Sequence, residues 1–192
     1  MNYLEGKKHL AELHERIADT RDEMRALRAA IDPQEVADYR FTTQQGEVRL
    51  SQLFGDNQDL FVIHNMGSTC PYCTLWADGY NGIYDHLTNR AAFVVSSPDA
   101  PEVQQRFAQS RGWKFPMVSH RGTNFAEDMG YRSANGGWLP GVSVFQRQAG
   151  QIVRVADSGF SPSDDFCALW HFLGLLPQGV DDWRPRFSYT ES

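Results

Sequence analysis

One short stretch, Cys70-Pro71-Tyr72-Cys73, constrains the fold of this 192-residue chain more than any other. Before it runs Leu60-Phe61-Val62-Ile63, an apolar segment rich in strand formers that continues to Met66. After it, Leu75, Trp76 and Tyr80 recur at helical spacing. The four residues therefore stand where a buried strand hands over to a helix. Pro71 suits the first helical position, where a missing N–H costs no hydrogen bond. Cys70 then falls at the N-cap, with its sulfur near unpaired amides and the positive end of the helix dipole. Such a place favours the thiolate and lowers a thiol pKa from about 8.5 to roughly 3.5–7.5. Cys73, one turn later, can attack a disulfide formed at Cys70. The arrangement predicts a redox dithiol.

Composition excludes other classes. A net charge of −6 argues against a nucleic-acid binder, and no apolar run approaches the roughly 18 residues of a membrane span. The amino end has no apolar signal core, and three cysteines make no disulfide scaffold, so a reducing cytoplasm is expected. Zinc would need four ligands, and the remaining cysteine, Cys167, is expected deep in a late amphipathic helix as an inert buried thiol. No metal and no cofactor are expected.

Along the chain, Leu10, Leu13, Ile17, Met24, Leu27 and Ile31 follow steps of three and four, with Thr20 in the remaining seam position. A helix with this seam, ending at Asp32-Pro33, needs a surface to pack on. That surface is either the body of its own domain or a second copy of the chain. A hairpin is expected between Phe41 and Leu50, and a second buried strand at 91–95. Asp99 with Glu102 reads as a capping box for a helix that ends near Gly112. Phe115–Ser119 reads as an edge strand because Pro116 cannot donate to a ladder. A hairpin follows over 142–145 and 152–155, and Ser161-Pro162-Ser163-Asp164 reads as the start of a last helix. Three segments result: a helical arm over 1–32, a domain over 33–176 and an irregular tail over 177–192.

Strands alternating with helices and a closing hairpin imply an α/β sandwich around a mixed sheet. With Cys70-Pro-Tyr-Cys73, Trp76-Ala-Asp-Gly79, Gly112-Trp-Lys-Phe-Pro116 and Leu139-Pro-Gly-Val-Ser-Val-Phe145, the chain resembles the thioredoxin-like superfamily in its alkyl hydroperoxide reductase/thiol-specific antioxidant form. More closely it resembles the bacterial thioredoxin-like family catalogued as domain of unknown function 899. The resemblance implies a three-layer sandwich around a mixed central sheet, with an added N-terminal helix and hairpin. It implies Cys70 as attacking thiolate and Cys73 as resolving thiol, with Pro140 at the place of the superfamily's substrate-facing cis proline. Tyr72 and Trp76 would flank the dithiol and shape a groove for the partner, and Trp76 reads equally as a core residue of its helix. Gly141 after Pro140, Ser68-Thr69 before Cys70, and the absence of a Thr three residues before either cysteine depart from the superfamily's patterns.

The chemistry expected is thiol–disulfide exchange with a protein or small-molecule disulfide and a thiol electron donor. A module that senses redox state or binds a partner without turnover is the alternative, and a peroxiredoxin-like peroxide reductase is the third reading. Asp78 could accept a proton during resolution, against the plainer role of a solvated helix residue.

Overall fold

The computed structural model describes residues 1–189. The chain divides into two units, residues 1–34 and the remainder. The first is a single helix, α1 (Tyr3–Ala30), started by a reciprocal capping box in which Asn2 and Glu5 each accept the other's backbone N–H at 2.9 Å. It stops at Ala30, and Ile31 turns extended ahead of Asp32-Pro33. Every seam residue from Leu10 to Ile31 is exposed.

The second unit is built on one mixed sheet. Its strands are β1 (Gln34–Glu35), β2 (Arg40–Thr43), β3 (Gly46–Arg49), β4 (Asp59–His64), β5 (Ala92–Ser97), β6 (Met117–Ser119), β7 (Gly141–Gln148) and β8 (Gln151–Gly159). They lie in the order β1-β8-β7-β4-β5-β6-β2-β3. The central β4-β5-β6 run is parallel, and the pairings of β7 with β4, β8 with β7, β2 with β6 and β3 with β2 are antiparallel. The helices are α2 (Leu50–Leu53), α3 (Pro71–Thr88), α4 (Pro101–Arg111), α5 (Phe125–Asp128) and α6 (Ala168–Leu173).

Period-two alternation divides the core between the two faces of the sheet. Leu60, Val62 and Val94 turn to one face, with Phe41, Leu50, Phe54, Phe125 and Phe145. Ile63, Phe93 and Val95 turn to the other, with Trp76, Ala77 and Tyr80 of α3 and Trp170 of α6. Each such side chain contributes about 1.5–3 kcal/mol when fully withdrawn from water. The β7-β8 turn is Ala149-Gly150, both at positive φ, as a two-residue turn between twisted strands requires.

Three expectations about the elements need correction. Phe115–Ser119 does not supply an edge strand: β6 starts at Met117 and lies between β5 and β2. Pro116 precedes it, and its carbonyl accepts the Val95 N–H at 3.0 Å, so its missing donor disturbs no ladder. Asp99 caps no helix. Ala100 is the N-cap of α4 and Pro101 takes the first position, where no amide needs a side-chain acceptor. Ser161-Pro162-Ser163-Asp164 does not open a helix either, since Ser163 is at φ 76° and α6 begins only at Ala168. The residues after α6 pack back on the domain, with Trp183 edge-on to Trp170 and Phe187 edge-on to Phe107.

Candidate functional site

The site lies at the carboxyl end of β4, where the chain leaves the sheet and re-enters as α3. The connecting loop is held at each step. The Asn65 N–H donates to Ser96 O of the neighbouring strand, and Asn65 Oδ1 accepts the Gly67 N–H at 2.8 Å. Gly67 sits at φ 108°, a conformation open to glycine. Its carbonyl accepts the Cys70 N–H at 3.1 Å and closes a turn over Ser68-Thr69. Cys70 is then extended, at φ −98° and ψ 107°, and is the N-cap of α3 with Pro71 at the first helical position. The strand, the N-cap cysteine and the first-turn proline lie where the sequence predicts them.

Cys70 Sγ accepts the Cys73 backbone N–H at 3.1 Å, while Cys73 Sγ accepts the Met66 N–H at 3.4 Å. The two sulfurs differ in their acidity. The Cys73 thiol, the largest influence, donates to the Cys70 sulfur and, with the backbone N–H groups of Cys73 and Tyr72, lowers the Cys70 pKa to about 7 against the opposing effect of burial. The same hydrogen bond, then burial and the Cys70 charge, pushes Cys73 well above the ordinary thiol range. Of the two sulfurs, that of Cys70 is the readier to ionise, and that of Cys73 keeps its proton. Both are free thiols, and their residues are 9% and 3% exposed.

Tyr72 is half-buried, its ring 6.2 Å from that of Trp170 and 6.3 Å from that of Trp76. Trp76 is a core residue, 3% exposed, whose indole N–H reaches Asp164 Oδ1 at 3.3 Å. Asp164 also accepts the backbone N–H groups of Ser161 and Phe166, which explains why that segment forms a tight turn instead of a helix start. Pro140 stands just before β7, where Gly141 is paired with His64 of β4 and Gly159 of β8. Its peptide bond is trans, as are all others among the described residues.

Gly141 has a visible cause. A Cβ there would overlap Tyr131 Cε1 and stand 2.6 Å from the Ser158 carbonyl oxygen. The Tyr131 ring stacks at 3.7 Å on His64, whose Nε2 pairs with Ser143 Oγ at 2.9 Å. Cys167 is buried in the same apolar cluster as Trp76 and Tyr80, as the N-cap of α6 and not within it, and burial raises its pKa. Asp78 takes part in a structural cluster, pairing with Arg111 and accepting the Trp113 indole N–H at 2.8 Å. Among the described residues no group of three or more His, Cys, Asp or Glu is arranged to hold a metal ion, and no helix is long and apolar enough to cross a membrane.

Reasoning from sequence missed the part played by Asp99. Its Oδ2 accepts the Ser68 N–H at 2.7 Å, tying the end of β5 to the loop that carries Cys70. A carboxylate two residues beyond β5, and thus beside the carboxyl end of β4, was the available signal.

A model of the family described as "Bacterial protein of unknown function (DUF899)" matches residues 1–190. No curated protein matches the chain. Among solved structures, the bacterioferritin comigratory protein of Xanthomonas campestris, described with alkyl peroxide reduction activity, is similar at 15% identity and TM-score 0.55 over 64% of this chain and 80% of its own. Peroxidoxin BcpB of Mycobacterium tuberculosis is similar at 23% identity and TM-score 0.53, covering 71% and 88%. A PrxQ mutant from Xylella fastidiosa is similar at 13% identity and TM-score 0.57, covering 66% and 84%. The fold is the thioredoxin-like fold of these proteins.

Proposed function

The chain belongs to the DUF899 family of bacterial proteins, and from the chemistry of its site we propose that it is a thiol-dependent reductase with Cys70 as attacking thiolate and Cys73 as resolving thiol. The observation that carries this reading is the place of Cys70 at the mouth of α3, where its sulfur accepts the Cys73 N–H at 3.1 Å with the second thiol one turn away.

The oxidant that fits best is a small one, a peroxide. Cys70 is only 9% exposed, which suits a two-oxygen substrate better than a disulfide on a folded protein. The structurally similar proteins include one described with alkyl peroxide reduction activity. In the first step the Cys70 thiolate attacks the terminal peroxide oxygen and the O–O bond breaks. Cys70 becomes a sulfenic acid and the alkoxide leaves, to be protonated to the alcohol. In the second, Cys73 attacks the Cys70 sulfur, gives up its proton and expels water, leaving a Cys70–Cys73 disulfide. A thiol donor, oxidised to its own disulfide, restores the dithiol. With a disulfide as oxidant, the same thiolate would form a mixed disulfide and Cys73 would release the second thiol. Tyr72 and Pro140 are the residues we assign to substrate contact.

The test is chemical trapping. In Cys73→Ser, cumene hydroperoxide should convert Cys70 to a sulfenic acid captured by dimedone, much faster than a free thiol reacts. Wild-type protein should end as an intramolecular disulfide. Equal rates for Cys70 and free cysteine would overturn the peroxide assignment. Insulin reduction lost in Cys70→Ser would then identify disulfides as the substrate, and inertness in both assays would leave the non-enzymatic module.

A further inference from the structure

We propose that Asp99 is the positioning residue that holds Cys70 in its N-cap geometry. This rests on the reading of Cys70 as the attacking thiolate. Cys70 can accept the Cys73 N–H only while it stays extended at the mouth of α3, and the preceding turn sets that conformation. The turn closes through Cys70 N–H to Gly67 O, and its second residue is Ser68. The Ser68 N–H points away from the turn and into the Asp99 carboxylate at 2.7 Å. The carboxylate also lies against Gly67, where a Cβ would meet its two oxygens at 3.1 and 3.2 Å. Asp99 therefore touches both residues that shape the turn.

Asp99 leaves α4 uncapped, and its own N–H reaches Ser97 Oγ at 3.4 Å, which folds the end of β5 toward the loop. Its charge acts on the buried His120, whose pKa it raises against the larger effect of burial. A hydrogen bond to an ionised acceptor is worth roughly twice a neutral one, and this one fixes a backbone amide beside the reacting sulfur.

Three roles for Asp99 predict different titrations of the Cys70 thiol. A positioning role predicts that Asp99→Ala frees the turn, weakens the Cys73 N–H contact and raises the Cys70 midpoint. A rise of about one unit would cut the thiolate fraction near pH 7 about fivefold. Asp99→Asn keeps an acceptor oxygen for Ser68 and should restore most of the wild-type midpoint. A purely electrostatic role predicts the opposite sign, since loss of a nearby negative charge lowers a thiol pKa in both variants. A merely structural role predicts a lower melting temperature with the midpoint unmoved.

The measurement is the thiolate absorbance of the full chain across pH, with Cys70→Ser as the blank. Peroxide or disulfide turnover is not needed. A wild-type midpoint at or above about 8.5 would sink the reading of Cys70 itself. A lowered wild-type midpoint that Asp99→Ala leaves unmoved or lowers further would overturn the Asp99 proposal alone. Asp99→Leu, close to Asp in size but without an acceptor oxygen, covers the case in which Asp99→Ala does not fold. The Ser68 N–H loses its partner there too, so the midpoint should also rise, and an unmoved one would likewise overturn the proposal.

Discussion

Replacing Cys73 with alanine removes the S–H group that is the largest cause of the lowered Cys70 pKa. The N–H groups of Tyr72 and Cys73 remain, and so does burial, which acts in the other direction. The Cys70 thiol should therefore climb from about 7 to between about 8 and 9, where an ordinary thiol titrates. Near pH 7 the thiolate fraction then falls from about one half to between roughly a tenth and a hundredth. Each remaining thiolate is more nucleophilic, by about threefold per pKa unit for a Brønsted slope of about 0.4–0.5. The two effects oppose, and alkylation near pH 7 slows only about two- to sixfold. Thiolate absorbance, which counts charge and ignores nucleophilicity, moves by the full one to two units. Both quantities should be measured on the same sample. Cys73→Ser keeps an O–H donor and should stay nearer the wild-type midpoint. A Cys73→Ala midpoint equal to wild type would refute the assignment of the shift to the neighbouring thiol, and so would a Cys73→Ser midpoint as high as that of Cys73→Ala.

Two further predictions concern the residues beneath the site. His64 and His120 are both held neutral by burial, His120 at about 4. For a base with a lowered folded pKa, the unfolded chain takes up the extra proton below its own value of about 6.5. That stability is complete above about 6.5 and drains as pH falls toward about 4. Thermal melts should show His120→Gln with a lower plateau but a shallower acid slope than wild type, and an equal slope would count against the argument. Gly141→Ala places a methyl group in contact with the Tyr131 ring and the Ser158 carbonyl, and overpacking of this kind costs about 1–3 kcal/mol. Urea unfolding should show the lowered midpoint; an unchanged one would mean that the Tyr131 ring moves aside freely.

What the sequence by itself determined was local. An apolar run, Pro71 and the spacing of Leu75, Trp76 and Tyr80 place Cys70 at a helix N-cap, because strand propensity, a helix start and helical periodicity each act within a few residues. The β7-β8 hairpin was likewise readable, since Ala149-Gly150 at positive φ is a short-range requirement. The alternation of strands and helices implied a mixed sheet, and the family resemblance specified its thioredoxin-like form. Tertiary structure decided how carboxylates already marked by sequence would be used. Asp99 and Asp164 both carry cap signals, yet Asp99 turns to Ser68, 31 residues earlier, and Asp164 to Trp76, 88 residues earlier. It also decided that β6 is interior, because β2 comes from the far amino-terminal side to cover it. A carboxylate goes to whichever donor the folded chain leaves unpaired, and that is settled only when distant segments meet.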